Sequence, residues 1–263
     1  MGNRDNYSGE QTADSKTRFS DRVDTYVKYR PSYPQALFDY LYGNAGFSPD
    51  VEIADIGAGT GIFTRLLLER GSRVTAVEPN REMREALEQA LGASANLRIS
   101  PGSAEATGLA GGSIDFIVSA QAFHWFDRDA ARSEFRRILQ PAGLAALVWN
   151  TRPTSGTPFL EAYEQLMHRY GTDYGQVNHR NISIDEMTAF FRPGTMRRLV
   201  FDNPLKYDYE SLCGRMLSSS YIPTQGHPNH EPLMTAFREM FDQYEEDGRV
   251  IIAYETELYI GEV

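Results

Sequence analysis

The sequence predicts an α/β protein built on a doubly wound, largely parallel sheet with helices on both faces. Two observations carry this. Between Val51 and Asn150 short β-branched runs alternate with amphipathic helical segments, the rhythm of strand–helix–strand units. A glycine-rich turn, Gly57-Ala58-Gly59-Thr60-Gly61, stands where the first strand meets the first helix, at the carboxyl edge where open α/β sheets bind ligands. The chain has 263 residues, enough for one large domain or two small ones at about 150 residues each. No repeat, low-complexity segment or long linker forces a division, so 1–263 reads as a single domain.

The elements follow in order. Residues 1–17 are polar and are expected as a loose tail. Residues 18–45 are expected as an N-terminal lid. There Phe19, Val23, Tyr26 and Val27 share a helical face, Tyr29-Arg30-Pro31-Ser32-Tyr33-Pro34 interrupts it, and helical spacing resumes at Leu37, Phe38 and Leu41. A core over 51–150 is expected to hold strands at Val51–Ile56, Arg73–Glu78, Leu97–Ser100, Ile114–Ala120 and Leu144–Asn150. Its helices are expected at Ile62–Arg70, stopped by Gly71; after an Asn80 cap, with Met83, Ala86, Leu87, Ala90 and Leu91 on one stripe; and at Asp129–Leu139. Residues 151–248 are expected as a helical cap insertion with a sixth strand. The cap comprises a helix through Phe159 and Tyr170, one from a Ser183 cap to Phe191, a strand at Met196–Phe201, Tyr209–Leu217 capped by Asp208, and Leu233–Tyr244. The final strand falls in 249–263, with Val250–Ile260 as its apolar run.

Composition narrows the function. With 26 Lys and Arg against 36 Asp and Glu the net charge is −10. The basic residues are scattered, which disfavours nucleic acid as a partner, since that grip needs clustered cations. No apolar run approaches the ~20 residues that span a bilayer, so no membrane association is expected. Cys213 is the only cysteine, which excludes an internal disulfide and a cysteine-based zinc site and fits a reducing compartment. Met1-Gly2-Asn3 begins like a myristoylation signal but carries Asn6 where Ser or Thr is needed. The first seventeen residues lack the apolar stretch of a secretory signal. A cytoplasmic protein is the expectation, with no metal site: His227 and His230 flank Pro228 in a loop-like stretch, and no His/Asp/Glu cluster has ligand spacing.

The glycine loop and Glu78, at the end of the second strand, together form a nucleoside site. The glycines allow close backbone approach, and a carboxylate can accept hydrogen bonds from both ribose hydroxyls. A dinucleotide is disfavoured. The G-x-G-x-x-G/A fingerprint finds Ile62 at its last place when started at Gly57 and Thr64 when started at Gly59. Asp55, just before the loop, would repel a pyrophosphate and suits a ligand carrying an ammonium group.

Four blocks in this order resemble the class I S-adenosylmethionine-dependent methyltransferases. They are Asp55-Ile56-Gly57-Ala58-Gly59-Thr60-Gly61; Val77-Glu78-Pro79-Asn80 with Met83; Gly102-Ser103-Ala104-Glu105; and Ser119-Ala120-Gln121-Ala122-Phe123-His124-Trp125-Phe126. Within the class the chain is similar to the small-molecule branch, with its type 11, ubiquinone-biosynthesis-type and trans-aconitate-methyltransferase-like members. The similarity covers roughly residues 18–152. It implies a Rossmann-like sheet of about seven strands, mostly parallel with the last antiparallel. It also implies S-adenosyl-L-methionine as cofactor, with a small-molecule methyl acceptor. Asp55 and the loop (Gly57, Ala58, Gly59, Gly61) would face the methionine moiety, Glu78 with Pro79 the ribose, and Met83 the adenine. Ser103, Ala104 and Glu105 would line the adenine edge, and Gln121 and Ala122 would lie beside the cofactor. Many relatives carry Asp where this chain has Ser103, so a side-chain contact to the adenine amino group is in question. Tyr29 and Arg30, on a segment that folds over the cofactor in relatives, would reach its carboxylate.

Several positions read two ways. Ser103 serves equally as a helix cap, Glu105 as an exposed first-turn carboxylate, and Glu78 as a solvated charge. His124 is either a general base for a hydroxyl acceptor or a structural histidine near the cofactor. Trp125 either stacks on the acceptor or packs, and Tyr26, Asn150 and Tyr221 are candidate pocket residues. The function expected is methyl transfer to O, N or C of a small molecule by in-line displacement. The alternatives are a non-catalytic nucleoside-binding protein and a nicotinamide-dependent oxidoreductase, the latter disfavoured by the glycine spacing.

Overall fold

A computed structural model describes residues 28–175, 182–192 and 195–263. The expected tail and the Phe19–Val27 face, with Tyr26, lie outside these residues. One seven-stranded sheet has the order β3-β2-β1-β4-β5-β7-β6. Its strands are β1 (Glu52–Ile56), β2 (Arg73–Val77), β3 (Leu97–Ser100), β4 (Ile114–Ala120), β5 (Leu139–Thr151), β6 (Arg197–Tyr207) and β7 (Val250–Gly261). β1 to β5 pair in parallel, and β7 is antiparallel to both β5 and β6. The helices are α1 (Gln35–Asn44), α2 (Ile62–Leu68), α3 (Arg81–Leu91), α4 (Arg128–Ile138), α5 (Pro158–Tyr170), α6 (Ile184–Phe190), α7 (Tyr209–Leu217) and α8 (His230–Tyr244).

Local chemistry sets the helix starts. Side chains of Asn80, Asp127, Thr157 and Asp208 each accept a backbone N–H of the first turn, and Ser183 with Glu186 forms a reciprocal capping box. Two boundaries differ most from the sequence expectation. β5 starts at Leu139 rather than Leu144, because Leu139 already pairs with Ile114 across a register irregularity that takes up Pro141 and the left-handed Ala142. β6 runs on to Tyr207 rather than stopping at Phe201. Its polar stretch Asp202-Asn203-Pro204 obscures the strand, and an edge position tolerates the proline.

The sheet separates two cores. Leu37, Phe38, Leu41, Phe63 and Leu67 pack on one face, and Phe123, Phe135, Ile138, Phe190 and Phe191 on the other. A third core arises from unequal strand lengths. β5 ends at Thr151, opposite Glu255, so the first part of β7 pairs with β6 alone. This β6–β7 ribbon projects beyond the carboxyl ends of the parallel strands. Its inward residues Tyr207, Val250, Ile252 and Tyr254 carry α5, α7 and α8 through Leu160, Tyr163, Leu212, Met216 and Phe237.

A buried polar knot joins the parts. Asn150 Oδ1 accepts from Thr256 Oγ1 at 2.6 Å and from Asn203 Nδ2 at 3.2 Å. Asn150 and Asn203 both donate to the Ser32 carbonyl, at 3.2 and 2.9 Å. Thr256→Val keeps the shape and removes a donor, leaving Asn150 Oδ1 short of a partner. Urea unfolding should show a loss of about 1–3 kcal/mol.

Candidate active site

The turn after β1 is held against β2. Gly57 N–H donates to the Val77 carbonyl at 2.8 Å. Its φ is +75°, and a Cβ there would stand 2.5 Å from Ala122 Cβ, so both backbone angle and packing demand glycine. Gly59 differs. Its φ is +56°, but a Cβ would meet nothing within 4 Å, so the outer side of the loop is open for a ligand. Glu78 clasps the same loop: Oε2 accepts from Gly59 N–H and Oε1 from Asn80 N–H, both at 2.8 Å. Burial pushes the Glu78 carboxyl up, and these two N–H groups draw it back down. Each oxygen keeps a lone pair for a further donor. Arg84 fixes the turn by donating to the carbonyls of Glu78 and Pro79, and Met83 is buried on α3 beneath it.

Asp55 is 1% exposed. Its Oδ2 accepts from Thr64 Oγ1 at 2.6 Å, while Oδ1 has no partner among the described residues. Burial pushes its pKa up to about 7 against the Thr64 bond, and the neighbouring Glu78 charge adds to the rise. The carboxylate contributes to a cleft of about 490 Å³, part of it open to solvent. Ala58, Ile62, Phe63, Ala120, Gln121 and Asn150 also line it, together with Arg30, Pro31 and Tyr33 from the segment before α1 and Arg215 from α7. Gln121 sits at φ +60°, a strained state for a residue with a side chain. Hydrogen bonds from its N–H to Val148 O and from Nε2 to Asn150 O hold it there.

The structure thus brings Arg30, Asp55, Gly57, Ala58, Gln121 and Asn150 to one cleft, with Gly59, Glu78 and Pro79 on the adjoining strand ends. Gly61 is packed against Leu87 and Leu91. Ser103 makes a tight turn with Ala106, beside the buried Ala104. Glu105 Oε1 accepts from Asp127 N–H at 3.0 Å. Ala122 is buried against Gly57. His124 and Trp125 form a single 3₁₀ turn after β4, with ring centroids 4.8 Å apart, outside the cleft lining. Tyr29 donates to Glu210 Oε1 at 2.7 Å on α7, and Tyr221 stacks edge-on with Tyr174 under the helical layer. Sequence reasoning missed Thr64, Tyr33, Phe63 and Arg215. Thr64 is nine positions from Asp55, where the first turn of α2 folds back on β1. Arg215 has no local signal at all. Among the described residues no cluster of His, Cys, Asp and Glu is set to hold a metal.

The sheet order defines a class by its fold: Rossmann-like proteins with an antiparallel strand beside the parallel ones. A family model described as "Methyltransferase domain" matches residues 54–147. An uncharacterized methyltransferase of Mycobacterium tuberculosis is 41% identical over 139 residues, covering 53% of this chain and 54% of the relative. The chain thus spans about half the length of the curated mycobacterial relatives it matches. A structure from Anaeromyxobacter dehalogenans, described as a candidate type II methyltransferase, superposes with TM-score 0.66 at 22% identity, over 89% of this chain and 98% of that one. The geranyl diphosphate C-methyltransferase of Streptomyces coelicolor, solved with Mg²⁺, geranyl diphosphate and S-adenosyl-L-homocysteine, gives TM-score 0.54 at 14% identity over 98% and 99%. Residues 54–147 are thus similar to methyltransferase domains, and the whole chain shares the fold of the solved methyltransferases.

Asp55 ties the site to pH. Its folded pKa, about 7, lies above the unfolded value of 3.8. Its contribution to ligand-free stability is therefore complete below about pH 4 and is lost as pH rises through about 7. Asp55→Asn should raise the ligand-free Tm at pH 8 by several degrees and leave it nearly unchanged at pH 5. Calorimetry at the two pH values checks this.

Proposed function

We propose that this protein binds S-adenosylmethionine across the carboxyl ends of β1, β2 and β4 and moves its methyl group, by in-line displacement, to O, N or C of a small-molecule acceptor. One observation carries the cofactor reading: Asp55 is buried, faces the cleft and has one carboxylate oxygen without a partner among the described residues. A site of this kind gains from an incoming ammonium, and the methionine moiety supplies one. Glu78 then takes the ribose hydroxyls on its spare lone pairs. Pro79, Met83, Ser103 and Ala104 flank the adenine. Gln121 and Ala122 border the sulfonium side, and Arg30, next to Tyr29, offers its guanidinium to the carboxylate.

The bound sulfonium supplies an electrophilic methyl carbon. The work left to the protein is positional: reacting atoms must stand about 3–3.5 Å apart. Tyr33, Ile62 and Phe63 shed water from the cleft wall. His124 serves as base when the acceptor is a hydroxyl or a carbon acid, with Trp125, Asn150 and Tyr221 on the acceptor side. The geranyl diphosphate held by the Streptomyces protein supports a small acceptor. A net charge of −10 weighs against nucleic acid. Among the described residues no helix is long and apolar enough to cross a membrane. The single cysteine fits a cytoplasmic setting.

Thermal shift with S-adenosylhomocysteine tests the cofactor. At about one hundred times Kd the ligand adds ~2.7 kcal/mol, a Tm rise of roughly 5–10 °C, which Glu78→Ala should abolish. No rise in the wild type at millimolar ligand refutes the reading. With a hydroxyl acceptor, His124→Ala should lower kcat by about 10²–10⁴-fold while cofactor affinity stays within about twofold. Unchanged turnover across pH would remove His124 from the chemistry.

A further inference from the structure

A second charge lines the cleft. Arg215, half-buried, projects from α7 into the cleft wall with its Nε buried. Among the described residues it makes one hydrogen bond, Nη1 to Ser219 Oγ at 2.8 Å. Among the described residues its Nε has no partner and it forms no ion pair. The neighbouring Arg152 shows what a satisfied arginine looks like here. It is ion-paired with Glu164, bonded to Tyr174 OH at 3.1 Å and laid over the Tyr163 ring. The charge of Arg215 is instead near the phenols of Tyr163, Tyr207, Tyr221 and Tyr254. Among the described residues, those of Tyr207 and Tyr254 are buried with no hydrogen-bond partner.

A half-buried cation without a counter-charge is costly, as is each buried hydroxyl without a partner. An oxyanion in the cleft answers both. It accepts from the guanidinium fork and from the hydroxyls, in surroundings of low dielectric. With Arg30 assigned to the cofactor carboxylate, Arg215 is the cation of the described cleft lining left for the acceptor, and its single charge matches a carboxylate rather than a phosphate dianion. Arg215 and these tyrosines come from α5, α7, β6, β7 and the α7–α8 connection, all beyond the glycine loop and strand ends that face the cofactor. We propose that Arg215, with Tyr207 and Tyr254, is an anchor for a carboxylate on the methyl acceptor, so that the substrate class is small organic acids with an apolar or aromatic body. The proposal rests on the methyl-transfer reading above. It leaves the acceptor carboxylate as a handle, not as the methylated group.

The test uses the full chain saturated with S-adenosylhomocysteine and titrated at constant ionic strength with benzoate, benzamide and phenyl phosphate, read by thermal shift. Benzoate should raise Tm by a few degrees, about what a ligand well above its Kd produces. Benzamide should not, and phenyl phosphate should do less than benzoate. Arg215→Gln should lose the benzoate response, keep the S-adenosylhomocysteine response and melt higher than wild type without ligand. The Tyr207→Phe/Tyr254→Phe pair should weaken benzoate alone, which gives a second reading if Arg215→Gln folds poorly. Equal responses to benzoate and benzamide, absence of both included, overturn the proposal. A stronger response to phenyl phosphate overturns the choice of carboxylate. Loss of the S-adenosylhomocysteine response in Arg215→Gln reassigns Arg215 to the cofactor. A wild type that ignores S-adenosylhomocysteine before any probe is added removes the methyl-transfer reading itself.

Discussion

The side-chain amide of Asn150 holds three parts of the molecule in register. It stands at the end of β5, the last strand whose direction is set by the parallel sheet. From there it binds β7 through Thr256, β6 through Asn203 and the segment before α1 through Ser32. These are buried polar groups, and burial makes each one demand its partner. The network is therefore sensitive to register: sliding β7 along β5 would strand the Asn150 oxygen. It also marks a border. Along one face of β7, Leu258 and Ile260 belong to the core beneath the sheet, while Tyr254, Ile252 and Val250 belong to the helical layer above. Thr256 is the polar hinge point between the two. The walls of the cleft, one from the sheet edge and one from the helical layer, are positioned against each other here.

Around the cleft the molecule keeps its polar groups underused. Among the described residues Asp55 has an idle oxygen, Arg215 an idle Nε, and Gln121 a backbone conformation that its neighbours must enforce. Away from the cleft the pattern reverses. Glu134 is satisfied by Thr107 and Arg137, and every long helix but two begins on a side-chain cap. α1 follows Pro34 and α8 follows Asn229 without one. Stability is thus concentrated in the frame, and the tension is left where ligands arrive.

Much of this was legible from residues alone. Strands β1 to β4, the Asn80, Ser183 and Asp208 caps, and the place of the glycine loop follow from periodicity and turn chemistry, because these are local properties. Asp55 and Glu78 are legible for the same reason: each ends a strand next to a turn that glycine demands. What escaped depends on distance in the chain. Thr64 matters only because α2 folds back on β1. The length of β6 depends on an edge position that no local pattern reveals. Arg215 is one arginine in an ordinary amphipathic helix, and its lack of an ion pair among the described residues is a property of the assembled fold. Asn150 was legible as a candidate, but its partners Ser32, Asn203 and Thr256 lie 118, 53 and 106 positions away.

The projecting β6–β7 ribbon has a consequence for descent. It carries its helices beyond the strands that bear the glycine loop, so the two can change at different rates. Substitutions on α5, α7 or α8 leave the turn geometry at Gly57 and Glu78 untouched, provided Asn150 keeps its partners. The family signature stops at residue 147, just before β5 reaches the sheet edge. Lineages can exchange the upper storey and inherit the lower one intact.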